Sequence, residues 1–278
     1  MTMFEGTVGA MQLFFTSAIA LVKVMVFFLA WTLCWLPIAI PTARALNWHP
    51  PKPLEASQKL PLLASLYLIA PLLLWGVAWV EGVSFSNYGL AWNPAVLVSV
   101  GLGLGFGAIG IIVIFGIQWA LGWVNWRLEK DTNLLEILLT TLLIGLLVSG
   151  IEELIFRGFL LNELQQDYSI LVAAIISSLI FALLHLVWEI DETLPQLPGL
   201  WLMGMVLVLA RLVDGGSLGL AWGLHAGWIW GIATIDTAKL IKYTGKISPW
   251  ITGFSEKPLA GLMGILCLLG TGVVLMRI

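Results

Sequence analysis

Two adjacent carboxylates and an arginine, Glu152, Glu153 and Arg157, interrupt an apolar run from Leu134 to Leu161. If the run is helical, Glu153 and Arg157 are i,i+4 neighbours with the acid on the N-terminal side, the favourable order for an ion pair. Glu152 is turned about 100° from Glu153 at 3.6 residues per turn, so its partners must come from other helices. Two of the three histidines also lie in apolar runs. His185 follows Phe181 by four residues and shares its helical face; His225 sits within Trp222-Gly223-Leu224-His225-Ala226-Gly227-Trp228. The third, His49, lies between Trp48 and Pro50 and reads as a solvated loop residue. Ionisable groups inside a membrane span are costly and mark functional sites. One carboxylate and two imidazoles in a shared polar cavity suit the activation of a water, either directly as a general base with hydrogen-bond partners or as a His₂Glu metal set. Both routes lead to hydrolysis. The metal route has no His-Glu-x-x-His and would draw Glu152, His185 and His225 from three helices. Ser149, Ser177 and Ser178 lack a nucleophile-elbow context.

These residues need membrane helices to position them. The 278-residue chain is 60% hydrophobic and 10% charged, with a mean hydropathy of +0.99, the composition of a polytopic membrane protein. Runs near 20 apolar residues suffice to cross a bilayer. Eight are expected: Met11 to Ile40, Leu60 to Val80, Ala95 to Val124, Leu134 to Leu161, Ile170 to Val187, Leu197 to Val213, Leu218 to Ile235 and Leu259 to Met276. The linkers carry turn signals, among them the prolines of Asn47 to Pro53, Asn93-Pro94, and Asp214-Gly215-Gly216-Ser217. None is long enough for a soluble domain. The expectation is an all-α bundle forming one membrane domain over 1–278, with the motif-bearing core at about 134–235.

The third run carries Gly101, Gly103, Gly105, Gly107 and Gly110 without a following Gly-Lys-Ser/Thr, so close helix packing is expected rather than phosphate binding. Tryptophans near span ends (Trp31, Trp35, Trp92, Trp119, Trp123, Trp126, Trp188 and Trp250) read as interfacial anchors. Lys23, inside the first run, should snorkel or be buried against a polar neighbour. Cys34 and Cys267 suggest packing, not a disulfide or metal motif. Met1 to Ala10 contains Glu5 and no lysine or arginine, unlike a signal-peptide n-region. A net charge of −3 with no basic stripe argues against a nucleic-acid partner. Arg44, Lys52, Lys59, Arg127, Lys130, Lys239, Lys242, Lys246 and Lys257 follow the first, third and seventh runs, whereas the other side holds little beyond Arg211 and Arg277. The positive-inside rule then places the basic linkers in the cytoplasm and both termini outside.

Glu152-Glu153-x-x-x-Arg157, Phe181-x-x-x-His185 and His225 resemble, in order, the motifs of the CAAX-processing and bacteriocin-processing (CPBP, or Abi) family of intramembrane proteases. The resemblance covers about Leu134 to Ile235. It implies that Glu152 activates a water, that His185 helps to activate or position it, and that His225 contacts the water or the developing oxyanion. Glu153 and Arg157 would form a structural pair, with Phe181 in support. A divalent metal such as zinc, held by Glu152, His185 and His225, or no metal at all, would accord with the family. The substrate would be a membrane-associated peptide or protein, of which a lipidated or CAAX-like one is an example, in a plasma or internal membrane of a bacterium or organelle. One position departs: where CAAX endopeptidases commonly carry asparagine four residues after the third histidine, this chain has Ile229. Losing an oxyanion donor there would cost on the order of 10²- to 10³-fold in rate.

Other uses of the same residues differ in what they require. A non-catalytic binding, immunity or assembly factor would keep its function without Glu152. A proton-coupled transporter should show repeat symmetry and broken helices in both halves, which this sequence lacks. A buried polar network that only fixes helix register would lose stability on Glu152→Gln.

Overall fold

The computed structural model describes residues 9, 11–14, 17–49 and 54–278. The amino-terminal stretch with Glu5, and the linker residues Pro50, Pro51, Lys52 and Pro53, lie outside the described residues. The chain is an integral, multi-pass membrane protein built from helices: α1 (Ala20–Ala45), α2 (Ala56–Glu81), α3 (Pro94–Ala120), α4 (Leu134–Glu153), α5 (Leu161–Asp167), α6 (Ile170–Leu184), α7 (Leu197–Val213), α8 (Gly219–Thr237) and α9 (Leu262–Leu275). Between α4 and α5 the chain stays helical but takes the wider π register over Leu154–Leu160. Among the described residues, six stretches are long and apolar enough to cross a membrane: Ala20–Ala45, Ser57–Glu81, Pro94–Ala120, Leu134–Asp167, Ile170–Val187 and Ile190–Val213. The seventh and eighth expected spans are helical but outside that six. Glycines, tryptophans, His225 and Asp236 dilute the hydropathy of α8, and α9 has only 14 residues.

Polar contacts sort the linkers into two ends. At one end, a short strand after α3, β1 (Val124–Trp126), pairs antiparallel with β2 (Ile241–Tyr243) after α8. Lys59, in the first turns of α2, meets Glu189 after α6 at 2.9 Å. At the other end, Leu218 N–H donates to the Gly89 carbonyl at 2.9 Å, Ser99 donates to Asp214 at 2.8 Å, and Ala20 N–H donates to Asp167 at 2.6 Å. Lys23 is buried there against Glu163 (3.1 Å) and Gln166 (2.6 Å), the polar-neighbour alternative expected for it.

α3 and α8 pack closely, and glycine explains it. A Cβ on Gly103 or Gly107 would run into the Leu220 or Leu224 carbonyl, and one on Gly223 or Gly227 into the Val100 or Leu104 carbonyl. Gly101 and Gly105 face open space. Of the two small-residue pairs in the third run, only Gly103/Gly107 packs, because the other lies on the far side of the helix. Indoles fasten the opposite side of α8 to α4: Trp222 Nε1 donates to the Leu146 carbonyl at 2.8 Å and Trp230 Nε1 to the Leu138 carbonyl at 3.0 Å. Gly223→Ala should therefore cost about 3 kcal/mol, since the obstacle is backbone and cannot rotate away. A melt in detergent within a degree of wild type would contradict this packing.

The tryptophans divide. Trp92 (91% exposed) and Trp250 (71%) project outward as expected of anchors. Trp31 and Trp35 do not: their indoles donate to the Leu66 carbonyl (3.0 Å) and to Ser65 Oγ (2.9 Å), joining α1 to α2.

Candidate active site

Glu152 and Glu153 close α4 immediately before the π segment, and both are buried. Arg157 Nη1 lies 3.1 Å from Glu153 Oε1, with both side chains fully enclosed. The Arg157 guanidinium also rests over the Phe181 ring, 4.4 Å from its centroid, in cation–π geometry. Two carbonyls of the wide turn take side-chain donors: Ser177 donates to that of Phe156 at 2.9 Å, and Arg211 donates to that of Arg157. Arg211 binds as well to the Gly216 carbonyl (3.0 Å) and Asn162 Oδ1 (2.8 Å), tying the segment to the turn after α7. Its sequence position suggested a loop charge, but it is 7% exposed. π turns within α-helices recur at functional sites; this one follows directly on both acids.

His225, on α8, lies between the two carboxylates. Its Nδ1 is 2.8 Å from Glu153 Oε1 and its Nε2 is 3.6 Å from Glu152 Oε2. A carboxylate only accepts, so Nδ1 carries the proton and Nε2 is presented to Glu152. Glu153 thus does more than pair with Arg157, since one of its oxygens receives both the guanidinium and the imidazole. Helical spacing revealed only the first of these contacts. His185, just past the end of α6, has Nδ1 2.8 Å from the Phe181 carbonyl. By the same argument Nδ1 is the donor and Nε2 is free to accept. Phe181 packs edge-on against both imidazoles, with centroids 4.6 Å from His185 and 5.9 Å from His225.

Glu152 has a further partner that the sequence reading missed. Tyr67 on α2 donates its hydroxyl to Glu152 Oε1. A signal existed: of the four tyrosines, Tyr67 alone falls inside an expected span. Tyr67, Glu152, His185 and His225 line one cavity of about 490 Å³. Its walls are apolar and include Ile229, and its mouth carries Lys59, Glu189, Asp236 and Lys257. Lys257 meets Asp236 at 3.5 Å, and Lys59 meets Glu189 at 2.9 Å.

Residues 133–231 match the model of type II CAAX prenyl endopeptidase, Rce1-like. The matched segment is little more than a third of the chain and carries most of the site. It contains Glu152, Glu153, Arg157, Phe181, His185, His225 and Ile229, whereas Tyr67 lies outside it. The chain is also similar to a protein of Escherichia coli described as an uncharacterized 24.3 kDa protein, with 33% identity over 94 residues. That alignment covers 33% of this chain and 42% of the relative, so the chain spans less than half the length of the curated protein it matches. No solved structure matches.

The Rce1-like segment also bears on a metal. Among the described residues, no three His, Cys, Asp or Glu side chains come close enough to share one ion. Glu152 and His225 approach each other, while His185 stands across the Phe181 ring. The donor set does not fit a three-ligand centre.

Proposed function

We propose that this protein is an intramembrane endopeptidase that hydrolyses a peptide bond of a membrane-associated substrate with a water activated by Glu152. The observation that carries this reading is the Glu152–His225 pair, 3.6 Å apart in the wall of an apolar cavity with a charged mouth. At that distance the two atoms are too far apart to hydrogen-bond directly and are free to contact the same water. Glu152 Oε2 takes a proton from the water, and the oxygen attacks the scissile carbonyl carbon. His185 Nε2 accepts the water's other hydrogen and holds the nucleophile in line. His225 Nε2 faces the oxygen that has received the proton and can pass it on to the departing nitrogen, so the C–N bond breaks with an amine leaving. Glu153, on the far side of the imidazole, keeps Nδ1 protonated and the ring in place, as an orienting carboxylate does in hydrolytic triads.

The cavity supports the substrate class. Its apolar wall, with Leu200, Met203 and Leu268 among its residues, suits a hydrophobic side chain or a covalently attached lipid, and its charged mouth suits a polar peptide arriving from the membrane surface. The matched family extends this to a prenylated, CAAX-like carboxyl terminus. Ile229 gives the cavity an apolar surface where CAAX endopeptidases commonly present an amide, which favours a slower enzyme or a different peptide.

The test is cleavage of a panel of lipidated and transmembrane peptides by the purified protein in liposomes, with products identified by mass. Cleavage that continues in a strong chelator is expected. Products from prenylated peptides alone would assign the CAAX class. No cleavage of any peptide would defeat the protease reading and favour a binding or immunity role for the same fold.

A further inference from the structure

The face of α2 that lines the catalytic cavity carries Lys59, Leu63 and Tyr67 at four-residue spacing, so one stripe of this helix runs from the charged mouth to the proposed base. At its inner end the Tyr67 hydroxyl donates to Glu152 Oε1. The other carboxylate oxygen, Oε2, is the one nearest His225. Without a fixed donor, rotation about the last side-chain bond would exchange the two oxygens, and the base would face its water only part of the time.

We propose that Tyr67 is a positioning residue for the hydrolytic step: by occupying Oε1 of Glu152 it reserves Oε2, beside His225, as the atom that takes the proton. This rests on the protease reading above. The hydroxyl has a second effect during the reaction. Its bond to Oε1 is charge-assisted while Glu152 is ionised and weakens once Oε2 is protonated. The weakening favours return of that proton, through His225, to the leaving nitrogen. No proton is gained or lost at Tyr67. Because Tyr67 lies outside the Rce1-like segment, the site is completed by a part of the chain that the family match does not reach.

Tyr67→Phe removes one oxygen and keeps the ring. Hydrogen bonds to charged groups are strong enough that kcat should fall roughly 10- to 100-fold, while KM stays within about twofold because the substrate's own contacts are unchanged. Infrared difference spectra, wild type minus Glu152→Gln, isolate the Glu152 carboxylate band. That band should shift in the Tyr67→Phe background, which a purely structural tyrosine would not cause. An unchanged kcat overturns the inference, as does a loss of activity that follows early melting without a band shift. If the wild type cleaves and Tyr67→Phe cleaves equally well, this inference fails alone; if the wild type cleaves nothing, the protease reading fails and takes this inference with it.

Discussion

Glu152→Gln is expected to lower peptide cleavage by about 10³- to 10⁴-fold, the upper range for loss of a general base, while leaving the bundle folded. The amide is nearly isosteric with the carboxylate, and its oxygen can still accept the Tyr67 hydroxyl now donated to Oε1. It cannot take a proton from water at neutral pH. The fold should tolerate the change because Glu152 sits at a cavity wall, where its amide can be solvated, and because the fully buried pair beside it is Glu153 with Arg157. Cleavage and thermal melting must be measured on the same preparation. Retained cleavage would remove Glu152 from the chemistry, and early melting with no separate loss of activity would leave Glu152 only a packing role.

Arg157→Ala should act in the opposite way, with loss of folded protein as its main effect. It leaves Glu153 charged and fully enclosed without its cation, and breaking one side of a buried pair costs about 3–5 kcal/mol. It also removes the guanidinium from the Phe181 face, which packs against both histidines. A double change separates structure from chemistry here. Arg157→Met with Glu153→Leu replaces the pair by apolar groups of similar bulk, which often restores stability. We expect that variant to fold and still fail to cleave, because His225 Nδ1 has lost the carboxylate that fixes it, 2.8 Å away. A double variant with normal melting and normal turnover would confine Glu153 to a structural role.

The parts of this site that could be read from sequence are those encoded by local spacing. Four residues on a helix placed Arg157 beside Glu153 and Phe181 beside His185, and the apolar runs gave helices, six of them among the described residues long and apolar enough to cross a membrane. Contacts made across helices were less visible. Nothing in the order of residues says that His225 Nδ1 would choose Glu153 rather than Glu152, or that α2 would bring Tyr67 to the base. The π register was equally hidden, since the donors that meet its carbonyls, Ser177 and Arg211, are distant in sequence. The glycine seam was only half read. Gly103 and Gly107 stood out in the third run, but Gly219, Gly223, Gly227 and Gly231, spaced by four on α8, passed unremarked beside His225. Trp31 and Trp35 misled because a tryptophan near a span end satisfies its N–H as well on a neighbouring helix as in the interface.

The weak hydropathy of α8 bears on how the protein is made. A translocon releases a segment into lipid according to its apolarity, and α8 carries a histidine, an aspartate and three tryptophans among its apolar residues. Its seam against α3 joins it to a helix that precedes it in the chain. Glu152 and His225 therefore meet only when α8 packs beside α4, and a nascent chain that stops before α8 carries the acid without the imidazole.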